Sequence, residues 1–397
     1  MTRDIRDLAD LLDPVTPESF FAEYHDKKPL HVRGTPEKFA SVLSWPILNR
    51  LLNMSAVWSG ISLQLVLDRE VIPPAQYCRA AIDRNNVRVM RPDPAQVTSL
   101  LRRGASLVAN DVDTLAPGLA AVADTLESAL NAKAQANIYC SWQERQAFDS
   151  HFDTHDVYAC HVEGEKVWRV YEARADVPIA HPRFKTYGQA HHDRAKGKVL
   201  MEVTMRPGDL LYLPRGQYHD ALASSTGAVH VAFGLTSVIG IDLLDIVREM
   251  AVDDPRFRAN MPLPRAGEAR LETYVRDLAT RLGELAGSAE ARAQLRRLQR
   301  DYSYTRGGFR LPDDAAVEEF RVRARGLKVV KAGTDWHLRN QTRSVPLPPG
   351  SNELIAWVIA RERFSGDEIA AAFPDTGAEE RGRLLRDLAA MKVIEPS

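Results

Sequence analysis

Residues 151–172, HFDTHDVYACHVEGEKVWRVYE, decide the fold of this chain. Their first eleven positions hold three histidines and two aspartates, in a chain with eleven histidines in all. The valine, tyrosine and tryptophan residues that follow favour β-strands over helices. The stretch therefore predicts strands that carry side chains of the kinds that bind metals.

The spacing of the first histidines allows two metal motifs. On a helix, His151 and His155 would share a face, but the zinc-protease motif needs Glu where Phe152 stands. On a strand, His151 and Asp153 point the same way. Joined by a distant histidine, such a pair makes the two-histidine, one-carboxylate set of non-haem Fe(II) sites. His219, after an apolar strand and a Pro-Arg-Gly turn, is the predicted third ligand. The alternative is two polar residues at a strand end.

Lys166 stands between two apolar runs, at the start of KVWRVY. Lys166, Trp168 and Val170 share a face of the predicted strand, so the lysine points inward if the other two do. A buried lysine is costly without an anionic partner. The pattern therefore predicts an anion site, and the alternative is a surface lysine whose charged end reaches water.

The region from residue 136 to about 237 is rich in short strands. Six runs have strand length and β-branched or aromatic residues: ANIYC, DVYACHV, KVWRVYE, KVLMEVTM, DLLYLP and AVHVAFGLT. A polar loop, residues 173–198, interrupts them. Several short strands at this spacing predict an antiparallel barrel or a double-sheet sandwich.

The region before these strands is predicted to mix helices and strands, and the region after them to be mainly helical. Thr16 followed by Pro17 is a helix start, and a strand follows in KKPLHVRG. After residue 239 one helical face carries an apolar stripe: Leu271, Val275, Leu278, Leu282 and Leu285. The last part, from NELIAWVIARERF onwards, has the helix, turn, helix and strand outline of a winged helix.

Composition excludes several functional classes. The chain of 397 residues has 52 basic and 53 acidic residues, so no overall positive field favours nucleic acid or an anionic membrane. Residues 351–397 carry six basic and nine acidic residues, a net charge of 6 − 9 = −3, which argues against DNA binding. Three widely spaced cysteines fit a reducing, cytoplasmic location. No apolar run reaches the ~20 residues of a membrane span.

The run HFDTHDVYACHVEGEKVWRVYE, together with GDLLYLPRGQYH, resembles the JmjC/cupin-type oxygenases that depend on Fe(II) and 2-oxoglutarate. The likeness is to their ribosomal oxygenase branch, and TPESFFAEYHDKKPLHV resembles the start of that branch. The resemblance implies an α+β chain with three parts. These are a double-stranded β-helix (jelly-roll) catalytic domain with an α/β preface, a helical dimerisation region and a winged-helix domain, at residues 1–240, 241–303 and 304–397.

The same resemblance implies a set of site residues. The iron ligands are His151, Asp153 and His219, Lys166 binds the distal carboxylate of 2-oxoglutarate, and Asn137 and Tyr139 line the cosubstrate pocket. From the sequence itself, His230 in AVHVAF is expected inside the barrel near the iron, as a further cosubstrate residue. His155, which shares strand parity with His151 and Asp153, is expected near the substrate. No further catalytic residue is expected. The alternatives are that Asn137 and Tyr139 are ordinary polar residues of the barrel and that His155 is a partly buried histidine.

The implied activity is hydroxylation of a protein side chain in a cytoplasmic homodimer. The family's precedents are Arg and His residues, and a ribosomal protein is the expected substrate. One rival is the same chemistry on a peptide natural product or small molecule. Another is a metal-free binding protein that keeps the cupin fold.

Overall fold

The computed structural model of the chain describes residues 4–84, 86–142, 148–223, 227–306, 319–323, 326–339 and 344–396. The chain divides into two compact units, residues 1–306 and 307–397. The boundary predicted after residue 240 lies inside the first unit, and the boundary predicted after residue 303 lies close to its end.

The first unit ends on a buried cluster of charges around Arg306. Its Nε is 2.8 Å from Asp113 Oδ2, and its Nη1 is 2.6 Å from Glu127 Oε2 and 3.1 Å from Asp124 Oδ1. Its Nη2 donates to the carbonyl of Ala134 at 2.6 Å. Because the Arg306 side chain is only 9% exposed, these carboxylates replace water as its partners.

The chain begins with two short helices, α1 (Leu8–Leu12) and α2 (Pro17–Glu23). The Thr16 hydroxyl accepts a hydrogen bond from Ser19 N at 3.2 Å, so the predicted helix start is confirmed. Phe20 of α2 is fully buried and packs edge-on against Tyr212, with ring centroids 5.0 Å apart. These helices therefore cover one face of the β-structure.

The strands of the first unit belong to three antiparallel sheets. They are β1 (Leu30–Val32), β2 (Leu63–Leu67), β3 (Glu70–Val71), β4 (Cys78–Ile82), β5 (Arg88–Pro92), β6 (Ser106–Ala109), β7 (Ala132–Ser141), β8 (Asp156–Glu163), β9 (Lys166–Arg174), β10 (Val199–Met205), β11 (Leu210–Leu213), β12 (Gln217–Ala223) and β13 (Ala228–Ser237). The helices between them are α3 (Trp45–Leu52), α4 (Pro94–Arg102), α5 (Pro117–Leu130), α6 (Pro182–Lys185) and α7 (Gln189–Ala195).

The two larger sheets form the jelly roll. One has the order β1-β11-β8-β13-β7-β6-β2-β3 and the other the order β10-β9-β12. Neighbours that are distant in the chain are typical of this fold, and the predicted double-stranded β-helix is confirmed. The third sheet is a two-stranded ribbon of β4 and β5.

Strand β8 shows how residue alternation builds the barrel. Tyr158 and Cys160 face the core shared with the N-terminal helices. Val157 and Ala159 face the opposite way and pack with Trp168 and other side chains of the smaller sheet. The interior between the two sheets is therefore apolar around these residues.

The six predicted strand runs all lie in strands, but two local expectations were wrong. The sequence did not predict β12, and HFDTH is not a strand. Only His151 pairs there, in an isolated bridge with His219, and the chain bends at Thr154 and His155. Strand pairing does not continue beyond this bridge because the turn before β12 lies against residues 151–155. There, Gly216 N donates to the carbonyl of Asp153 at 2.9 Å.

Four helices follow the barrel: α8 (Gly240–Asp253), α9 (Pro255–Arg258), α10 (Glu268–Ala286) and α11 (Ala289–Asp301). Leu285 packs with Val247 and Ala251 of α8. Two residues of the predicted stripe on α10 remain exposed, Val275 at 48% and Leu282 at 40%, and Leu271 and Leu278 are half-buried. The stripe exists, but within one chain only its end is buried.

The described part of the second unit contains two three-stranded sheets and three helices. Its strands are β14 (Glu319–Val322), β15 (Lys328–Ala332), β16 (Asp335–Arg339), β17 (Ser344–Pro346), β18 (Arg363–Ser365) and β19 (Ile394–Pro396); its helices are α12 (Asn352–Ile359), α13 (Gly366–Ala372) and α14 (Ala378–Ala390). The helices and β19 match the predicted outline. The sheet β15-β16-β17 was not predicted.

Across the described parts of the chain, no helix combines the length and the apolar character needed to cross a membrane.

Candidate metal and cosubstrate site

A two-residue bridge between distant segments creates the centre of the site. His151 N donates to the carbonyl of His219 at 3.1 Å, and His219 N donates to the carbonyl of His151 at 2.9 Å. The two imidazole rings lie side by side, with centroids 4.6 Å apart. Asp153 completes the group, because one ligand atom from each residue lies within 4.8 Å of the others.

Backbone hydrogen bonds fix the tautomers of both histidines. His151 Nδ1 is 2.7 Å from the carbonyl of Asp149, and His219 Nδ1 is 3.0 Å from the carbonyl of Gln217. Because a carbonyl can only accept, Nδ1 carries the proton in both rings. Each Nε2 is therefore left as a free lone pair, the form that binds a metal.

The charges of the group also suit a divalent cation. Burial lowers the pKa of His219 to about 4, so this imidazole is neutral at ordinary pH. Burial raises the pKa of Asp153, but on acidification its electrostatic attraction to the three neighbouring histidines, His155, His151 and His219, outweighs that effect, so the pKa of this carboxyl is lowered and it is ionised at ordinary pH. Two imidazoles and one carboxylate are the donors that non-haem Fe(II) prefers, so the residues fit iron.

The three residues open onto a cavity of about 270 Å³ between the two sheets. Its lining includes every site residue predicted from the sequence: Asn137, Tyr139, His151, Asp153, His155, Lys166, His219 and His230. Phe148, Val157, Trp168, Ala221, Ala232 and Gly234 complete the wall. The structure therefore brings all eight predicted side chains into one cavity.

Lys166 is buried in the wall of this cavity, with 5% of its surface exposed. The surface-lysine alternative is therefore wrong. Its Nζ donates to Ser141 Oγ at 3.4 Å, and no ion pair joins it to a carboxylate of the described residues. Burial raises the pKa of the neighbouring Cys140 thiol to about 12, so the thiol does not supply a negative charge. Burial also lowers the pKa of Lys166 to about 8.

His230 and Tyr139 form a stacked pair beside Lys166. Their rings are 4.9 Å apart and almost parallel, at 5°. Burial raises the pKa of Tyr139 to about 12, so its phenol stays protonated. His230 Nδ1 and Trp168 Nε1 are buried and make no hydrogen bond with a described residue. Buried polar atoms normally have partners, so an uncharged or anionic polar ligand in this cavity would satisfy the indole N–H.

Asn137 and His155 occupy the remaining predicted positions. Asn137 Oδ1 accepts a hydrogen bond from Asp111 N at 3.1 Å, which ties the cavity wall to the loop after β6. His155 lies flat against β13, where a Cβ on Gly234 would be 2.5 Å from its Nε2. Glycine is therefore required at 234 for the imidazole to occupy its present place.

A second polar network lies behind the ligands and was missed from the sequence. The buried Asp220 carboxylate accepts from Ser150 Oγ at 2.8 Å and from Tyr171 Oη at 2.5 Å. Lys196 Nζ donates to Ser150 Oγ at 2.9 Å and lies 4.8 Å from the Tyr171 ring centroid. We call these four residues the clamp. The signal that could have found it is adjacency, because Ser150 precedes His151 and Asp220 follows His219.

Comparison with known proteins agrees with this geometry. Residues 114–243 match the family model of the JmjC domain. This chain contains a JmjC domain. The matched residues include the whole metal group, Lys166 and the other predicted cosubstrate residues.

Known relatives align with this chain over more residues than the JmjC domain. The bifunctional lysine-specific demethylase and histidyl-hydroxylase NO66 of Drosophila persimilis is 24% identical over 222 residues, which cover 55% of this chain and 29% of that protein. Ribosomal oxygenase 2 of Bos taurus is 28% identical over 292 residues, which cover 68% of this chain and 59% of that protein. The chain therefore spans less than two thirds of the length of both relatives.

A solved structure resembles nearly the whole chain. The ribosomal oxygenase YcfD from Escherichia coli, in complex with cobalt and 2-oxoglutarate, aligns with a TM-score of 0.52 and 15% identity. The alignment covers 96% of this chain and 98% of YcfD. At this identity the similarity shows a shared fold.

Proposed function

We propose that this protein is an Fe(II)- and 2-oxoglutarate-dependent oxygenase that hydroxylates a protein side chain. The observation that carries the proposal is a single cavity that contains both a set of metal ligands and a buried cation for an anionic cosubstrate. His151, Asp153 and His219 present two free imidazole nitrogens and a carboxylate. Lys166, in the same wall, is a buried cation without an anionic partner among the described residues.

The protein's own contribution is to hold ligands and to place an anion. Iron and 2-oxoglutarate, when bound, supply the oxidising chemistry that inserts an oxygen atom from O₂ into a C–H bond. Three protein ligands leave coordination positions open for cosubstrate and O₂. Lys166 provides the charge that a distal carboxylate needs, and Ser141 adds a hydroxyl beside it. Tyr139 and Asn137 line the space between Lys166 and the metal group.

The apolar wall of the cavity limits the access of water. Val157, Trp168, Ala221 and Ala232 contribute to this wall. Dry surroundings strengthen the attraction between Lys166 and a carboxylate, because a low dielectric screens charges less. The same surroundings keep reactive species away from bulk solvent.

The substrate we propose is a protein, with Arg or His of a ribosomal protein as the first candidates. Support comes from relatives named ribosomal oxygenase and histidyl-hydroxylase. His155 lies in the wall beside the ligands but outside the metal group, where it can contact a substrate side chain. Phe148, 38% exposed, offers an apolar surface at the same cavity.

We also propose that the chain forms a homodimer through residues 241–303. In α8, Ile241, Leu244 and Val252 are exposed, as are Val275 and Leu282 of α10. Large apolar side chains concentrated on neighbouring helices are typical of a protein interface.

The test of the function uses the iron-loaded protein with 2-oxoglutarate and protein extracts. We expect succinate to form, and mass spectrometry to find a peptide heavier by one oxygen atom. Turnover stimulated only by small metabolites would favour the natural-product alternative. A protein that binds neither metal nor 2-oxoglutarate would be the non-catalytic cupin, and the proposal would be wrong. A product peptide that has lost a methyl group relative to the substrate would show that the reaction is demethylation instead of hydroxylation.

A further inference from the structure

Strands β4 and β5 form a ribbon that stands apart from the barrel sheets. The strands pair only with each other, so both outer edges are unpaired within the described residues. Ile82 and Met90, 66% and 51% exposed, lie on one face of this ribbon. An isolated two-stranded sheet is marginally stable in water, and free edges can accept another strand.

The ribbon has an unbalanced positive charge. Residues 78–92 contain Arg79, Arg84, Arg88 and Arg91 but only one acid, Asp83, so the net charge is 4 − 1 = +3. Arg79 and Arg91 are direct partners in the β4–β5 register, where like charges repel. No ion pair joins these arginines to any residue that the structure describes. Asp83 is engaged in the turn, where its Oδ1 accepts from Val87 N at 2.8 Å.

Hydrogen bonds connect the wall of the JmjC cavity to the loop before β2. Asn137 Oδ1, in the wall, accepts from Asp111 N at 3.1 Å. The preceding side chain, Asn110, donates from Nδ2 to the carbonyl of Ile61 at 3.1 Å. Ile61 is 81% exposed, the largest exposure among the large apolar side chains of the described residues.

The same loop packs on the base of the ribbon. A Cβ on Gly60 would lie 2.5 Å from Pro74 Cβ and 3.6 Å from Cys78 Sγ, and Cys78 is the first residue of β4. The loop that carries the exposed Ile61 therefore contacts both the segment bound to the cavity wall and the base of the cationic ribbon.

We propose that the β4–β5 ribbon docks an extended acidic segment of the protein substrate. This proposal rests on the proposed function, because it assumes that the substrate is a polypeptide. The segment pairs with a free strand edge through main-chain hydrogen bonds, as in β-strand addition. Its carboxylates bind the arginines, whose planar guanidinium groups match them. Its apolar side chains cover Ile82 and Met90.

Two other occupants fit the ribbon less well. Interfaces with nucleic acid are more polar than those between proteins, and a nucleic acid would use neither the strand edge nor the exposed Ile61, Ile82 and Met90. A second copy of the ribbon would bring its own arginines against Arg79 and Arg91. An acidic polypeptide satisfies the charge, the edge and the apolar surface together.

The test measures binding of fluorescent probes to the full chain without metal. The probes are a synthetic peptide in which glutamate and valine alternate, its lysine–valine counterpart and a single-stranded RNA. We expect the glutamate peptide to bind, the lysine peptide not to bind, and added salt to weaken the complex. Hydrogen exchange should show new protection of β4 or β5 amides when the glutamate peptide is bound.

Matched charge reversals locate the binding surface. Arg79→Glu with Arg91→Glu should weaken binding of the glutamate peptide by roughly tenfold or more, because like charges then meet across the interface. Arg296→Glu with Arg297→Glu on the exposed side of α11 makes the same change in net charge and should leave binding unchanged. If the ribbon reversal unfolds the chain, Ile82→Ser with Met90→Ser provides a second variant without a charge change and should also weaken binding.

Three outcomes would overturn the docking proposal. The first is that the glutamate peptide does not bind. The second is that the ribbon variant and the α11 variant lose the same amount of affinity for this peptide. The third is that RNA binds and that this binding depends only on the ribbon arginines. Succinate formation from 2-oxoglutarate is measured separately, without any peptide. A chain that binds the glutamate peptide but makes no succinate would contradict the proposed function alone. A chain that makes succinate but binds no peptide would contradict the docking proposal alone.

Discussion

Lys166 is a single residue in which stability and function oppose each other. Its buried charge lacks an anionic partner among the described residues, so the free protein bears a desolvation cost that a bound dicarboxylate would offset. Lys166→Met removes the charge and keeps the length of the side chain. We expect it to weaken 2-oxoglutarate binding by roughly 10- to 150-fold, because a hydrogen bond to a charged group contributes about 1.5–3 kcal/mol. Titration of the cosubstrate measures this, and iron binding should be unchanged. Unchanged cosubstrate affinity would place the anion site elsewhere.

The same substitution predicts a pH effect on folding of the protein without ligands. Burial lowers the pKa of Lys166 from 10.5 to about 8. Between these values the unfolded chain binds more protons, so this group makes the native state more stable as pH rises from about 8 to 10.5. The contribution is on the order of 1–3 kcal/mol. The free energy of unfolding, measured with denaturant at several pH values, should rise more steeply with pH in wild type than in Lys166→Met over this window. Parallel curves of this free energy against pH would show that Lys166 does not titrate there.

The metal ligands give the second prediction for single residues. His151→Ala or Asp153→Ala should abolish iron binding and succinate formation, since each removes one of three donors. Titration with Co²⁺, followed by its absorption spectrum, reports binding without turnover. His155→Ala is the matched control, because it removes a histidine of the same cavity that lies outside the metal group. Metal binding in either ligand variant as strong as in this control would contradict the assignment.

Among the elements, the clamp joins the two segments that carry the histidines. Ser150 and Asp220 lie on the far side of the bridge formed by His151 and His219, and Tyr171 and Lys196 secure them there. Tyr171→Phe and Lys196→Met should each weaken metal binding by roughly tenfold, because partners behind the ligands orient them.

Arg206→Met, after β10, is the control for the clamp, since its ion pair with Glu165 is exposed. Co²⁺ affinity and the melting temperature are measured together. A clamp variant that melts earlier but keeps full Co²⁺ affinity would show a purely structural role.

The element scale also shows how far the sequence could predict this molecule. Six strand runs were predicted because β-branched and aromatic residues dominate them. Strand β12, QYHDALA, carries Gln217, His219 and Asp220 for the site instead of an apolar run, so its composition hides it. His151 and Asp153 were found because His-x-Asp is a local motif, whereas Asn137 and Tyr139 were found only through the family resemblance. The clamp could not be found, because it depends on which distant segments pair.

For the whole molecule, the uncovered stripe on α10 predicts a dimer. Val275→Glu with Leu282→Glu should give a monomer, because both side chains are exposed within one chain and the charges would meet only at an interface. Light scattering at micromolar concentration measures the mass. Ala269→Glu with Thr280→Glu adds the same charge to the opposite face of the helix and should leave the dimer intact. A wild-type protein that is already a monomer would refute the interface.

The charge cluster around Arg306 has a consequence for shortening the chain. A fragment that ends after Arg306 retains the cation between Asp113, Asp124 and Glu127. A fragment that ends after Ser303, where the sequence places the boundary, leaves three carboxylates facing one another. We expect the shorter fragment to be less stable by about 3–5 kcal/mol, the usual effect of removing one partner of a buried pair. Thermal melting of both fragments would measure the difference. The boundary expected from the sequence, after Ser303, therefore separates Arg306 from the carboxylates that it neutralises. A boundary placed after Arg306 keeps them in one domain.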